Sequence, residues 1–257
     1  MDNSHLTPDR RISRRTWLAS APALGGLLLN ACSRDQFMPP VVRGGLIGAA
    51  DVLTMSTNRL LLSGQQLARE YTRAHISDPF PVWNQRNPRN PEYQTHAAEG
   101  FKNYRVPVTG LVNKPVELSL DQIRGIPART QITAHVCEQG WSAIGEWTGA
   151  PLTLILEAAG GVKPQARYVV VNTWDRWYEG YDMFDVNHAQ TMLAYGLNGK
   201  DLPRGNGEPL RLRVERLCGY KQLKFVKSIQ VVDSMLGIGK GTGGINSDNN
   251  WHWYAGV

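Results

Sequence analysis

The chain has 257 residues, 42% hydrophobic and 19% charged, with a formal net charge of +6. That length and balance describe one ordinary or large globular domain and exclude a disordered chain. No basic run interleaved with aromatics occurs, which excludes nucleic acid as a partner, and three cysteines, Cys32, Cys137 and Cys218, are too few for a disulfide scaffold.

In chain order, Arg14-Arg15 precedes Thr16-Trp17-Leu18 and an apolar, small-residue run from Ala19 to Leu29, too short to span a membrane. Residues 13–18 resemble a twin-arginine signal, which addresses folded, often cofactor-loaded proteins to the bacterial export machinery. The expected location is the periplasm. Leu29-Asn30-Ala31-Cys32 resembles a lipoprotein cleavage box, in which Cys32 would carry a lipid anchor, although Asn30 is not a preferred residue there. The remainder divides into an extension with loops over 33–103 and a core over 104–257, with no internal repeat.

In the extension, a helix is expected across 63–74, capped by Ser63 with Leu67 and Tyr71 on one face. Asp78-Pro79, Pro81, Asn87-Pro88 and Asn90-Pro91 then break regular structure. Strands follow at 104–112 and 116–120 by alternation, then a short helix at 120–124 capped by Ser119 and stopped by Gly125. A strand at 131–136 leads into Cys137, so the cysteine sits at a strand end, held rigidly and open to a cleft. A helix is expected at 151–159 and a buried strand at 168–173; the aromatic stretch 174–181 reads as loop. A helix at 186–195, loop over 196–209 and strands at 210–214 and 225–232 complete an α+β single domain. Arg211 and Arg213 fall on one face of their strand.

Two clusters carry chemistry. The first is His135-Val136-Cys137-Glu138 with Trp141-Ser142 and Trp147. A thiolate there suits a transition metal or acts as a nucleophile with His135 or His188 as base, as in cysteine transpeptidases and hydrolases; otherwise Cys137 is a buried small hydrophobe. Closed zinc sites are disfavoured because no second cysteine or histidine lies at the short spacing that such sites use. The second is Asn206-Gly207-Glu208-Pro209-Leu210-Arg211 with Gly219-Tyr220-Lys221-Gln222-Leu223-Lys224. Arginine and lysine beside glycines suit a phosphate-bearing organic ligand. Cys218 reads as packing.

Together with Gly110-Leu111-Val112, Pro115, Leu118-Ser119-Leu120, Gly149, Leu193-Ala194-Tyr195, Asn198-Gly199 and Leu202-Pro203, these motifs resemble the sulfite-oxidase-type molybdopterin oxidoreductases, in order, over roughly 104–232. The Cys-x-x-x-Trp-Ser pattern and the paired arginines are most similar to the periplasmic sulfoxide-reducing members. The resemblance implies that fold, with mixed sheets and peripheral helices. It implies a molybdenum with one molybdopterin, Cys137 as the metal's protein ligand, and oxygen-atom transfer to or from a small molecule. It assigns Asn206, Arg211, Gln222, Leu223, Lys224, Thr173 and, in the upstream loop, Asn84 to the cofactor, and offers Tyr178 or Tyr181 as a hydrogen-bond donor to the reacting oxygen. Sulfite-oxidising members commonly carry histidine where this chain has Asn206, which favours sulfoxide or related oxo-compound reduction over sulfite-type oxidation. With no haem-binding segment ahead of the domain, electrons are expected from a separate partner such as a membrane or soluble cytochrome. A binding module that kept the fold without the metal is the non-enzymatic alternative.

Overall fold

The computed structural model describes residues 39–40, 45–62 and 66–257; the paired arginines, the apolar run and Cys32 lie outside them. Two five-stranded sheets carry the chain. The first contains β1 (Arg105–Gly110), β2 (Val116–Ser119), β5 (Tyr168–Thr173), β6 (Tyr178–Asp182) and β10 (Val226–Val232), in the order β2-β1-β10-β5-β6. β1 runs parallel to β10 and the other neighbours are antiparallel. Val169, Val170 and Val171 are all fully buried, as expected for a strand with partners on both edges.

The second sheet contains β3 (Arg129–Val136), β4 (Ser142–Pro151), β7 (Met192–Leu197), β8 (Lys200–Asp201) and β9 (Arg211–Arg213). Its order is β3-β4-β7-β8, with β9 also on β7. Strands β3 and β4 pair without a slip from Arg129↔Gly149 to Val136↔Ser142. The hairpin is closed by the Cys137 amide donating to Trp141 O at 2.9 Å. The cysteine is thereby fixed in a tight loop at the end of a fully paired strand.

The helices are α1 (Gly45–Leu61), which has 17 residues, and the short α2 (Pro91–Ala98), α3 (Leu120–Gly125), α4 (Leu152–Ala158), α5 (Met183–Val186) and α6 (Ile245–Asp248). Ser119 and Gln122 form a reciprocal capping box on α3, and Asn90 caps α2 with a proline following. Among the described residues no helix is long and apolar enough to cross a membrane. The main core joins Val106, Val108, Ile229 and Val231 of the first sheet to Leu152, Ile155 and Leu193.

Several expected elements are replaced. In place of a helix at 63–74, residues 66–72 run extended along the edge of β3, with Glu70 bridged to Thr133 and the Tyr71 amide donating to Ile132 O. An edge strand's unpaired backbone captured this segment. The helix of this region is α1 instead. Residues 192–197 form β7 rather than a helix, because they are buried on both faces between β4 and β9; such a run has no period to read. The stretch 174–181 is loop only to Trp177, β6 beginning at Tyr178, and the loop expected over 196–209 contains β8 and a 3-10 turn at Arg204–Asn206.

Candidate functional site

A cleft of about 320 Å³ lies where the β3–β4 loop, the 80–85 loop and the stretch Gly219–Lys224 converge. Cys137, Asn84, Asn206, Arg211, Gln222, Leu223 and Lys224 all line it. Residues from four separated parts of the sequence are therefore brought together as expected.

Cys137 is 6% exposed and its thiol donates to Glu138 Oε2 at 3.5 Å. Burial, then the Glu138 carboxylate, pushes the thiol's pKa up. Behind it, β3 buries a polar face of Gln131, Thr133 and His135. Arg213, paired with Glu215 at 2.5 Å, donates from Nη1 to His135 Nδ1 at 3.0 Å. A guanidinium only donates, so Nδ1 accepts and the neutral ring carries its proton on Nε2. Burial, then Arg211 and Arg213, holds the His135 pKa well below the usual histidine value. A base backed by a cation is the opposite of the nucleophile-activating arrangement, in which an acid orients and supports the imidazolium. His188 does not line the cleft; its ring nitrogens meet Gln66 O and the Gln190 amide.

The cationic wall is built around Trp147, a fully buried ring of β4 with Arg213 at 4.1 Å and Arg211 at 5.3 Å from its centroid. Arg211 Nη1 donates to Asn206 O, and its buried Nε has no hydrogen-bond partner. Burial, then Arg213, disfavours its charge, and no carboxylate forms an ion pair with it among the described residues. Gly207, at φ +118°, lets Arg211 and Lys224 approach: a side chain there would put its first carbon 3.2 and 3.1 Å from theirs. Lys224 Nζ donates to the carbonyls of Trp83, Gln85 and Gly205, which ties the 80–85 loop to the cleft wall. Gln222 Nε2 donates to Leu217 O, and the same side chain interacts with His135. Two crowded cations, one with an orphaned buried N–H, fit an anionic, phosphate-bearing ligand.

Burial and the neighbouring Arg211 bring the Lys224 pKa down to about 8. Below that pH it is an ammonium ion, and above it the charge that would meet an anion is gone. Sulfate, whose own charge is constant, is expected to bind the cofactor-free protein more weakly as pH rises through about 8, and Lys224→Arg to extend binding to higher pH. Calorimetric titration between about pH 6 and 10 measures this. Affinity independent of pH in the unaltered protein would place the anion elsewhere.

Three of the residues assigned or offered above, Thr173, Tyr178 and Tyr181, do not line the cleft. The Thr173 hydroxyl is taken up by Asp175 and Trp177, which line it in its stead. The Tyr178 hydroxyl donates to Asp248 at 2.5 Å and that of Tyr181 to Lys221 O, so neither is directed at the cleft. The hydroxyls offered as donors to the reacting oxygen are thus committed to Asp248 and to Lys221 O. Cys218 is free and its thiol donates to Val136 O. Asp175, Asn246 and Trp251 line the cleft without having been singled out; the aromatic run 251–254 was the only signal.

Residues 93–236 match the family described as the oxidoreductase molybdopterin binding domain. A provisionally named protein-methionine-sulfoxide reductase subunit of Azospira oryzae is 32% identical over 95% of this chain and 88% of its own length. The protein-methionine-sulfoxide reductase catalytic subunit MsrP of Xanthomonas campestris pv. campestris is 36% identical over 51% of this chain, which spans only 46% of that protein. MsrP of Gluconobacter oxydans is 27% identical over 90% of this chain and 73% of its own. Among solved structures, the sulfane dehydrogenase SoxCD of Paracoccus pantotrophus aligns over 52% of this chain and 39% of that one, at 26% identity and a TM-score of 0.49.

Proposed function

The chain belongs to the oxidoreductase molybdopterin binding domain family and is an oxidoreductase, and from that premise we propose that it reduces a sulfoxide or related small oxo compound, with Cys137 as the protein ligand to molybdenum. The observation that carries the reading is the placement in one cleft of a buried thiol and a cationic wall in which Arg211 has an unpartnered buried N–H. When bound, the molybdenum and its pterin would supply two-electron oxygen-atom exchange.

The chain's own residues divide the remaining work. Cys137, fixed by the hairpin closure at Trp141, offers a soft sulfur from a rigid position. Arg211, with Lys224 and Asn206, would hold the pterin's phosphate, and the 222–224 backbone lies along the same wall. Asn84, in the left-handed region at φ +59°, sits in the loop that Lys224 tethers. Thr173 would act through Asp175, whose carboxyl it contacts. Trp83, Trp141, Trp177 and Trp251 also line the cleft. The alternative of a cysteine nucleophile is disfavoured by the cation behind His135. Export through the twin-arginine machinery to the periplasm, a lipid at Cys32 and an electron-donating cytochrome partner remain parts of this proposal that rest on the sequence.

The test is elemental analysis of protein made in a host that supplies the pterin, followed by turnover of a sulfoxide panel and of sulfite with an artificial electron donor or acceptor. Near-stoichiometric molybdenum with sulfoxide reduction is expected. Molybdenum with sulfite oxidation alone would reverse the direction, and well-folded protein without molybdenum would remove the reading.

A further inference from the structure

The C-terminal segment supplies a wall of the cleft that the cofactor reading leaves unused. Asn246 and Trp251 line it beside Tyr220, whose ring meets that of Trp251 edge to face with centroids 5.1 Å apart. The Asn246 amide is oriented from behind. Its Nδ2 and its backbone N–H both donate to Glu179 Oε1, while Lys221 Nζ donates to Glu179 Oε2 at 2.6 Å. Glu179 and Lys221 are 0% and 1% exposed, so this carboxylate is buried, paired and fixed. An amide that gives its nitrogen to a carboxylate must present its oxygen on the other side. Asn246 Oδ1 receives no hydrogen bond from the described residues, and the residue borders the cleft.

Along Gly219–Lys224 the cleft changes character. At the Lys224 end stand the two cations. The Gly219 end packs so closely on His135 and Val136, next to Cys137, that a side chain at 219 would lie 2.9 Å from His135 Nε2. Tyr220, Asn246 and Trp251 belong to this end, and Glu138 adds a carboxylate to the lining. A molecule seated here meets two acceptors, the Asn246 amide oxygen and the Glu138 carboxylate, beside the Gln139 amide and the Trp141 and Trp251 indoles. An N–H donor is matched by those two acceptors, and the carboxylate disfavours an oxyanion beside it.

We propose that Asn246 is a specificity-determining residue whose side-chain oxygen takes an N–H donor of the substrate, selecting donor-bearing neutral or cationic oxo compounds over oxyanions. The assignment rests on the cleft being the oxo-substrate site of the proposed function.

The experiment compares N-acetylmethionine sulfoxide N-methylamide with its fully N-methylated counterpart, which lacks N–H donors. KM is measured for both with the molybdenum-loaded enzyme. Binding of the two corresponding thioethers is followed separately by tryptophan fluorescence, which needs no turnover. The unaltered protein is expected to favour the N–H compound by about five- to tenfold in both readouts, the worth of one hydrogen bond. Asn246→Ala should erase that preference by weakening the N–H compound alone. Equal values for the pair in the unaltered protein, or a preference that survives Asn246→Ala, overturns the assignment. If neither sulfoxide is turned over while fluorescence still shows an Asn246-dependent preference, the reaction reading falls and the assignment of Asn246 stands. Should Asn246→Ala fail to fold, the comparison in the unaltered protein decides alone.

Discussion

Replacing Cys137 with serine is expected to abolish oxygen-atom transfer, to below about a thousandth of the unaltered rate, and to strip molybdenum from the protein while leaving the fold intact. The β3–β4 loop is held by backbone bonds, the Cys137 amide to Trp141 O and the Gly140 amide to Cys137 O, and neither uses the sulfur. A hydroxyl is close in size to a thiol but is a hard, weakly acidic donor, so it cannot replace the soft thiolate. Circular dichroism and elemental analysis on the same preparation separate the two effects. Full molybdenum occupancy with full activity in Cys137→Ser would show that the metal is held by other atoms.

The second large effect is expected at Arg211. Arg211→Ala should weaken cofactor retention by about 2 to 5 kcal/mol, or about thirtyfold to a few thousandfold, because a bound phosphate would be left in a buried pocket without its bidentate partner. The unliganded protein should respond in the opposite sense. Arg211 is 6% exposed, lies beside Arg213 and has an unpaired Nε, so its removal relieves repulsion and an unsatisfied donor. A raised melting temperature of the cofactor-free variant, together with reduced pterin content after gentle dialysis, is the expected pair of results. Unchanged pterin content would move the phosphate away from this wall.

These opposed effects explain why the site was legible in parts. Arg211 and Lys224 stood out in the sequence because closely spaced cations beside Gly207 and Gly219 suit a phosphate, whereas Gln222 and Leu223 were reached only through the family resemblance. Cys137 stood out through its setting between a regular strand and Trp141-Ser142. Thr173 and Tyr178 carry equally suitable hydroxyls, yet local partners, Asp175 and Asp248, consume them. Which partner a hydroxyl finds depends on how 173–178 folds back and where 248 arrives, and neither is a local property. Asn246 was silent for the same reason, and Trp251 showed only as part of an aromatic run.

The fold shows the same division. β1, β2, β3, β5 and β10 were readable because one face or an unbroken apolar run was visible, and α3 because Ser119 and Gln122 cap it. β4 was missed, since Gly145, Gly149 and Pro151 argue against a strand until β3 and β7 supply partners on both sides. β7 was mistaken for a helix because burial on both faces removed the alternation.

The parallel pairing of β1 with β10 sets a schedule. Val108 finds its partner Ile229 about 120 residues further along the chain, which at about 5 to 20 residues per second takes a ribosome about six to twenty-four seconds. Throughout that interval the hairpin of β1 and β2 waits with one edge open, and the entropy of closing so long a loop is still unpaid. The cationic stretch up to Lys224 and the wall at Asn246 and Trp251 are translated at the end of the same interval or after it. The chamber therefore exists only once translation has passed these residues, and whatever fills it must wait until Trp251 has been made.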